Sequence, residues 1–317
     1  MMKVGSSALS ILNLPSRDVF TNLATERALF RTLSKEKLPC HLFLTYIDTP
    51  SVVIGRFQNY WHEVNINEVN KSGLKVARRE TGGGAVYHDE GNLNVSIFSN
   101  TDSIDPALNF SFVIDVLKHH FPSLKLRGFS KTGIFTCARP EYVQKVGGSA
   151  LRRGTNVSYH HFTILSNSNL NKQKLNLESA LKKLNVKSFR ATISNDTKTG
   201  NLNEIISDSN LSPERIIEMI QEYHKPLEKN QQYFNNIYSG LDEEIKRIRD
   251  EIEEREWVID QSPPMTYLGS KNKFELELFS NQYKLSGLKE EKQIPIDTQG
   301  ELTNENFNTV VSLLDTK

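Results

Sequence analysis

The stretch Lys75–Phe98, KVARRETGGGAVYHDEGNLNVSIF, decides how this chain reads. It opens as a short strand, passes through three consecutive glycines and closes as a second strand. In that second strand Leu93, Val95 and Ile97 alternate with Asn94 and Ser96, the period-two pattern of a sheet residue run. Glycine carries no Cβ, so Gly82-Gly83-Gly84 lets backbone lie flat against a ligand. The flanking residues suggest which ligand. Arg78 and Arg79 offer forked cationic donors suited to phosphate or carboxylate, and Thr81 adds a hydroxyl. A plain glycine-rich hairpin is the competing reading of GGG alone. No Lys-Ser or Lys-Thr follows at P-loop spacing, and the glycines lack the spaced dinucleotide pattern.

RRETGGGAVYHDEGN resembles the signature RRxSGGGxVxHDxGN of the lipoate–protein ligase and lipoyltransferase family, with Thr81 in place of serine. Two further segments resemble that family in the same order. NLATERALF (Asn22–Phe30) with PSVVIGRFQNYWHEVN (Pro50–Asn65) is similar to its NLAxE helix and PSVVIGRxQNPWxExN turn. KVGGSALRRGTNVSYHHFTILSNSNL (Lys145–Leu170) is similar to KxSGxAxR…HHxTLLxxxDL. The resemblance runs from about residue 17 to 215, and its wording is nearest to the eukaryotic, mitochondrial lipoyltransferases.

Composition bounds the rest. A 317-residue chain with 24% charged and 37% hydrophobic residues fits one large globular domain plus a small one. A net charge of +1 carries no global footprint for nucleic acid or an anionic membrane. No apolar run approaches the ~18 residues of a membrane span. Two cysteines, Cys40 and Cys137, cannot build a disulfide framework and point to a reducing compartment. A thioester role for Cys137 lacks any visible activating partner, and no Cys/His/carboxylate spacing suggests a metal site. The first seventeen residues, with Lys3, Arg17 and no acid, are faintly like a transit peptide. Mitochondrial localisation follows from the resemblance.

Helices are expected over Asp18–Ser34, Ile66–Ser72, Pro106–Phe121, Leu175–Leu184 and Pro213–Glu222. Strands are expected over His41–Ile47, Ser51–Gly55, Leu74–Arg79, Leu93–Phe98, Tyr142–Leu151 and Phe162–Leu165. Hairpin-linked strands suggest an α+β fold of mixed, largely antiparallel sheets flanked by helices. The resemblance implies a biotin/lipoate ligase-like catalytic domain over 1–245 and a small accessory domain over 246–317. Residues 241–256, LDEEIKRIRDEIEERE, read as a solvated linker helix. Glu26 falls on the apolar face of the first helix, so it is expected either to bend out to water or to pair with an arginine from the core.

The resemblance implies acyl transfer. Lys145 would be the catalytic residue, its ammonium steadying charge on an acyl-adenylate. Arg78, Thr81, Gly82, Gly83, Gly84, His88, Gly148, Ser149, Ala150, His161 and Thr163 would bind substrate; no metal is expected. His88, Asp89 and His161 are candidates for the base that receives the acceptor lysine's proton. The substrate would be lipoyl-AMP, with ATP and Mg²⁺ needed only by a complete ligase. Arg127–Lys145 lacks the Asn-Asp that ATP-dependent ligases carry there, which favours transfer alone. The partners would be lipoyl domains of E2 subunits or the glycine-cleavage H-protein, with local positive charge at Lys131, Arg152 and Arg153 facing them. A complete ATP-dependent ligase and a non-catalytic binder of lipoyl carriers are the alternatives.

Overall fold

The computed structural model describes residues 9–129, 132–137, 143–195, 197–268, 274–289 and 294–312. Lys131, Tyr142 and residues 1–8 lie outside them. Contacts divide the chain into two compact units that interleave along the sequence. One contains Met1–Ser51, His88–Leu170 and Asp196–Glu251; the other contains Val52–Tyr87, Asn171–Asn195 and Ile252–Lys317.

The first unit is built on a seven-stranded sheet. Its order is Leu9–Asn13, His41–Ile47, Asn92–Asn100, Val157–Leu165, Lys145–Arg152, Gly133–Thr136, Leu126–Phe129. The first pair is parallel and every later pair antiparallel. The strand expected over Phe162–Leu165 starts earlier, at Val157, because its alternation continues through Tyr159 and the adjacent histidines. Pro106–His120 covers one face, with Asp105 as its N-cap and proline in its first turn. It buries Phe110, Val113, Ile114 and Leu117 with Val95, Ile97, Phe162 and Ile164. Phe162 is part of this core and lies edge-on to Phe110 at 5.2 Å.

Val19–Leu33 is a helix with Ala24, Ala28, Leu29 and Leu33 buried. Asp18 caps it by accepting from Thr21 N at 3.0 Å. Asp242–Glu253 departs from the solvated-linker expectation. Ile248 is fully buried, Glu251 meets the buried Arg27 at 2.6 Å, and Arg249 meets Asp18 at 3.3 Å. Isoleucine at that spacing supplies an apolar stripe that the dense charge pattern masks.

The second unit holds a three-stranded sheet with Ser51–Ile54 between Lys75–Arg78 and Val86–His88. It also holds a five-stranded antiparallel sheet from Asn185–Phe189 through Ile294–Glu301. The single helix expected over Leu175–Leu184 is split into Leu170–Leu177 and a 3₁₀ turn, Ala180–Lys183. Ser179 makes the break: its hydroxyl donates to Trp61 O at 2.7 Å and caps the second turn.

Candidate active site

In the second unit the two arginines of RRETGGG build the glycine loop and do not reach out from it. Arg78 is 1% exposed. Its guanidinium donates to the carbonyls of Gly55, Arg56, Gln58, Trp257 and Val258 and to Ser262 Oγ, at 2.7–3.2 Å. Burial, with Arg56 and Arg79 nearby, pushes its pKa down, and the ring of carbonyl oxygens compensates the cation. Arg78 is therefore a scaffold residue, a correction to its expected ligand role: no N–H direction is left to point at a ligand.

Arg79 donates to Thr81 Oγ1 at 3.0 Å, Val53 O at 3.2 Å, Gly82 O at 2.6 Å and Gly84 O at 2.8 Å. It draws two of the loop's carbonyls inward. The third glycine carbonyl, Gly83 O, lies where a Cβ on Gly55 would be, 2.2 Å from it, which requires glycine at 55. Gly83 itself has φ +85°. With the carbonyls turned in, the amide N–H groups of Gly82, Gly83 and Gly84 have no acceptor among the described residues. Successive unpaired amides in such a turn suit an anion. Thr81 is buried, and its Oγ1 serves Arg79.

In the first unit Lys145 begins its strand beside a register irregularity. Gly147 pairs with Ile134, yet Phe135 pairs with Lys145. A bulge re-aims side chains, and this one puts Lys145 on the face of Gly148 and Gly133. A Cβ on Gly133 would lie 3.2 Å from Lys145 Cε, and one on Gly148 3.8 Å from Nζ. The ammonium sits over a glycine floor, 6.0 Å from the Phe135 ring centre. Among the described residues no carboxylate pairs with it. Burial lowers its pKa. The strand is fixed by Lys145 N to Lys198 O at 2.8 Å and Gly200 N to Lys145 O at 3.1 Å.

Along the same face Gly148 N donates to Thr163 Oγ1 at 2.9 Å, and Ala150 pairs with His161. Ser149 is turned to the other face, contrary to its expected place beside the substrate. Strand alternation sends it toward His160, whose Nε2 lies 3.2 Å from Ser149 Oγ. Asn109 Nδ2 reaches His160 Nδ1 at 3.3 Å. Burial, then the neighbouring His161, hold His160 neutral with a pKa of about 3.

His161 points the opposite way from His160 and meets Glu26. Glu26 Oε1 lies 2.9 Å from His161 Nδ1 and 3.0 Å from Tyr46 Oη, with Ser96 Oγ in the same cluster. Its partner is thus a histidine and not an arginine, and the adjacent Arg27 goes to Glu251. Burial acts to raise the Glu26 pKa, but His161 and the three hydrogen bonds prevail and lower it. His88 is held likewise by Asp48, Nδ1 to Oδ2 at 2.8 Å, and Asn22 and Asn94 also donate to that carboxylate. His88 Nε2 is buried without a hydrogen-bond partner among the described residues. Asp89 spends both oxygens on Gly91 N and Asn169 N, which leaves it poorly placed to act as a base. Arg152 lies over the Phe30 ring at 4.9 Å, and Arg153 is exposed. Cys40 is buried and Cys137 exposed, both as free thiols.

Sequence reasoning missed Asp48, Gln58, Glu63 and Ser194. The QN of RFQN offered a signal for Gln58, and the buried glutamate of WHEVN one for Glu63. Nothing local marks Ser194, which lies more than a hundred residues from the loop it touches.

Residues 18–225 match the family described as lipoyl protein ligase A/B catalytic domain. The chain is 33% identical over 265 residues to mouse lipoyl amidotransferase LIPT1, mitochondrial, covering 81% of this chain and 66% of that protein. It is 35% identical over 220 residues to lipoate-protein ligase A of Psychrobacter cryohalolentis, covering 68% of this chain and 61% of that protein. The match thus spans slightly less than two thirds of these relatives' own length. Among solved structures, P. falciparum LipL1 in complex with lipoate superposes with a TM-score of 0.59 at 22% identity, covering 98% of this chain and 90% of that one. Lipoate-protein ligase A bound with ATP gives 0.54 at 21% identity, with coverages of 79% and 97%. A bipartite Thermoplasma acidophilum lipoate protein ligase, solved with its E2 lipoyl domain, gives 0.56 at 19% identity, with coverages of 80% and 95%. The chain belongs to the lipoyl protein ligase A/B catalytic-domain family, and its α+β architecture is that of the lipoate ligases.

Proposed function

We propose that this chain is an acyltransferase. It moves a lipoyl or octanoyl-like group from lipoyl-AMP, or from a lipoylated carrier, to one lysine of an acceptor protein. The acceptors are lipoyl domains of 2-oxoacid dehydrogenase E2 subunits or the glycine-cleavage H-protein. The Thermoplasma relative solved with its E2 lipoyl domain supports that acceptor class. The mitochondrial relatives support a mitochondrial location. The family match lies within 1–245 and supports reading that part as catalytic and 246–317 as accessory.

The observation that carries this reading is Lys145, a partly desolvated ammonium over a floor of glycines with no carboxylate paired to it among the described residues. The acceptor amine attacks the acyl carbonyl carbon. A C–N bond forms, the C–O bond to phosphate breaks, AMP departs with that electron pair, and the amine releases a proton. Negative charge grows on the carbonyl oxygen and on the departing phosphate. A fixed cation lowers both, and loss of one such donor costs about 10²–10³ in rate. Gly148, Ala150, His161 and Thr163 share the Lys145 face. His88, whose Nε2 has no hydrogen-bond partner among the described residues, and His161 remain the candidates for taking the proton.

The test incubates the chain with apo lipoyl domain and lipoyl-AMP and follows acceptor mass. Modification by the unaltered chain, and its loss in Lys145→Ala, is the expected result. Modification from free lipoate, ATP and Mg²⁺ alone would establish a complete ligase. Binding of the acceptor with no mass change, indifferent to Lys145→Ala, would establish a carrier-binding protein.

A further inference from the structure

We infer that Ser194 is a ligand-binding residue whose hydroxyl donates a hydrogen bond to a phosphate oxygen lying on the glycine loop. The inference deepens the function proposed above and rests on it for the ligand's identity.

The argument is one of donor and acceptor accounting within the second unit. Gly55 N donates to Gln58 Oε1 at 2.8 Å. That fixes which end of the Gln58 amide is oxygen, so its Nε2 is the group lying 3.0 Å from Ser194 Oγ, and it donates. Ala85 N donates to the same Oγ at 2.8 Å. A serine hydroxyl has two acceptor positions and one proton. Both acceptor positions are filled by N–H groups that cannot accept in return. The remaining proton has no acceptor among the described residues, and the side chain is partly exposed. Whatever completes it must be an acceptor.

The hydroxyl is held where such an acceptor would come. Ser194 Oγ lies 3.0 Å from the position of a Cβ on Gly84, at the end of the loop whose three amides lack acceptors. Its backbone is anchored by Ser194 N to Glu63 Oε1 at 3.0 Å. Glu63 is fully buried and paired through Oε2 with Lys182 at 3.0 Å. A donor added to three amides without acceptors among the described residues favours an anionic oxygen over a neutral carbonyl, because hydrogen bonds to ionised acceptors are about twice as strong. The phosphate of lipoyl-AMP has such oxygens.

The test is calorimetric titration of the full chain and of Ser194→Ala and Ser194→Thr with lipoyl-AMP and with free lipoate, which lacks the phosphate. Ser194→Ala is expected to weaken lipoyl-AMP about tenfold or more and to leave lipoate within about twofold; Ser194→Thr, which keeps the hydroxyl, recovers most of the loss. Equal lipoyl-AMP affinity in Ser194→Ala overturns the inference, as does parallel weakening of both ligands, which would mean loop collapse. An alanine-like loss in Ser194→Thr with an unchanged melting temperature overturns it too. Failure of the unaltered chain to bind lipoyl-AMP overturns the functional reading itself, a result distinct from the other three.

Discussion

Arg78 and Lys145 are both cations withdrawn from water, and they are used in opposite ways. Arg78 is enclosed by five carbonyls and a hydroxyl. Lys145 has glycines around it and no anionic partner among the described residues. A guanidinium has five N–H donors in fixed directions, so it can close a turn from inside and remain solvated by protein. An ammonium on a flexible stem is a poor clamp and a good mobile point charge. The contrast shows that the cationic density of a motif does not measure the charge it offers a ligand. RRETGGG invests its arginines in shape; Lys145 stays uncommitted among the described residues.

The contrast breaks first at Arg78. Truncation to alanine leaves several buried carbonyls without donors, each costing about 1–3 kcal/mol. Arg78→Ala is expected to lose about 3–5 kcal/mol of stability in chemical denaturation. A loss under 1 kcal/mol would show that the guanidinium is dispensable to the loop. Lys145→Ala should do the reverse. Acyl transfer falls about 10²–10³-fold, while stability at neutral pH holds or rises slightly, because a cation disfavoured by burial has been removed. Equal loss of stability in both variants would erase the distinction.

A pH profile sharpens it. The folded Lys145 pKa lies below the ordinary lysine value. Its charge is therefore lost as pH rises through that lowered value, and the alkaline limb of acyl transfer should fall below pH ~10.4. Lys145→Arg should move the limb to higher pH even if the maximal rate drops. Glu26 works in the other direction. Its folded pKa is lowered, so its contribution to stability is full above the unfolded carboxylate value and fades as pH falls through the folded one. Glu26→Gln should flatten that part of the acid-denaturation curve.

How far the sequence could take this reading depended on how local each cause was. The Val19–Leu33 helix was visible because its cap, alanines and apolar spacing are contiguous. Lys145 stood out because it opens KVGGSALRRGTNVSYHHFTILSNSNL, the segment that resembles the family's lysine-bearing strand. The reversal at Ser149 was not visible: it follows from the bulge beside Lys145, which depends on pairing with Gly133–Thr136, and a one-residue slip changes every face. The roles of Arg78 and Ser194 were hidden for a related reason. Arg78's acceptors at Trp257 and Val258 lie 179 and 180 residues away, and carbonyls carry no sequence signature. Donor type can be read from a residue name; the identity of the acceptor cannot.

A third kind of cation sets the lower end of the scale. Arg31 meets Glu244 at 3.3 Å with both side chains more than a third exposed. Water already solvates both groups, and holding two long side chains costs entropy. Such pairs are worth about 0.2–1 kcal/mol. Arg31→Ala should thus change stability by less than about 1 kcal/mol, and added salt should shrink even that. Ile248, on the same Asp242–Glu253 helix, is fully buried, and its truncation to alanine should cost about 2–5 kcal/mol. If denaturation instead ranked Arg31→Ala above Ile248→Ala, the helix would be held to its unit by charge, and the solvated-linker reading of LDEEIKRIRDEIEERE would regain its force.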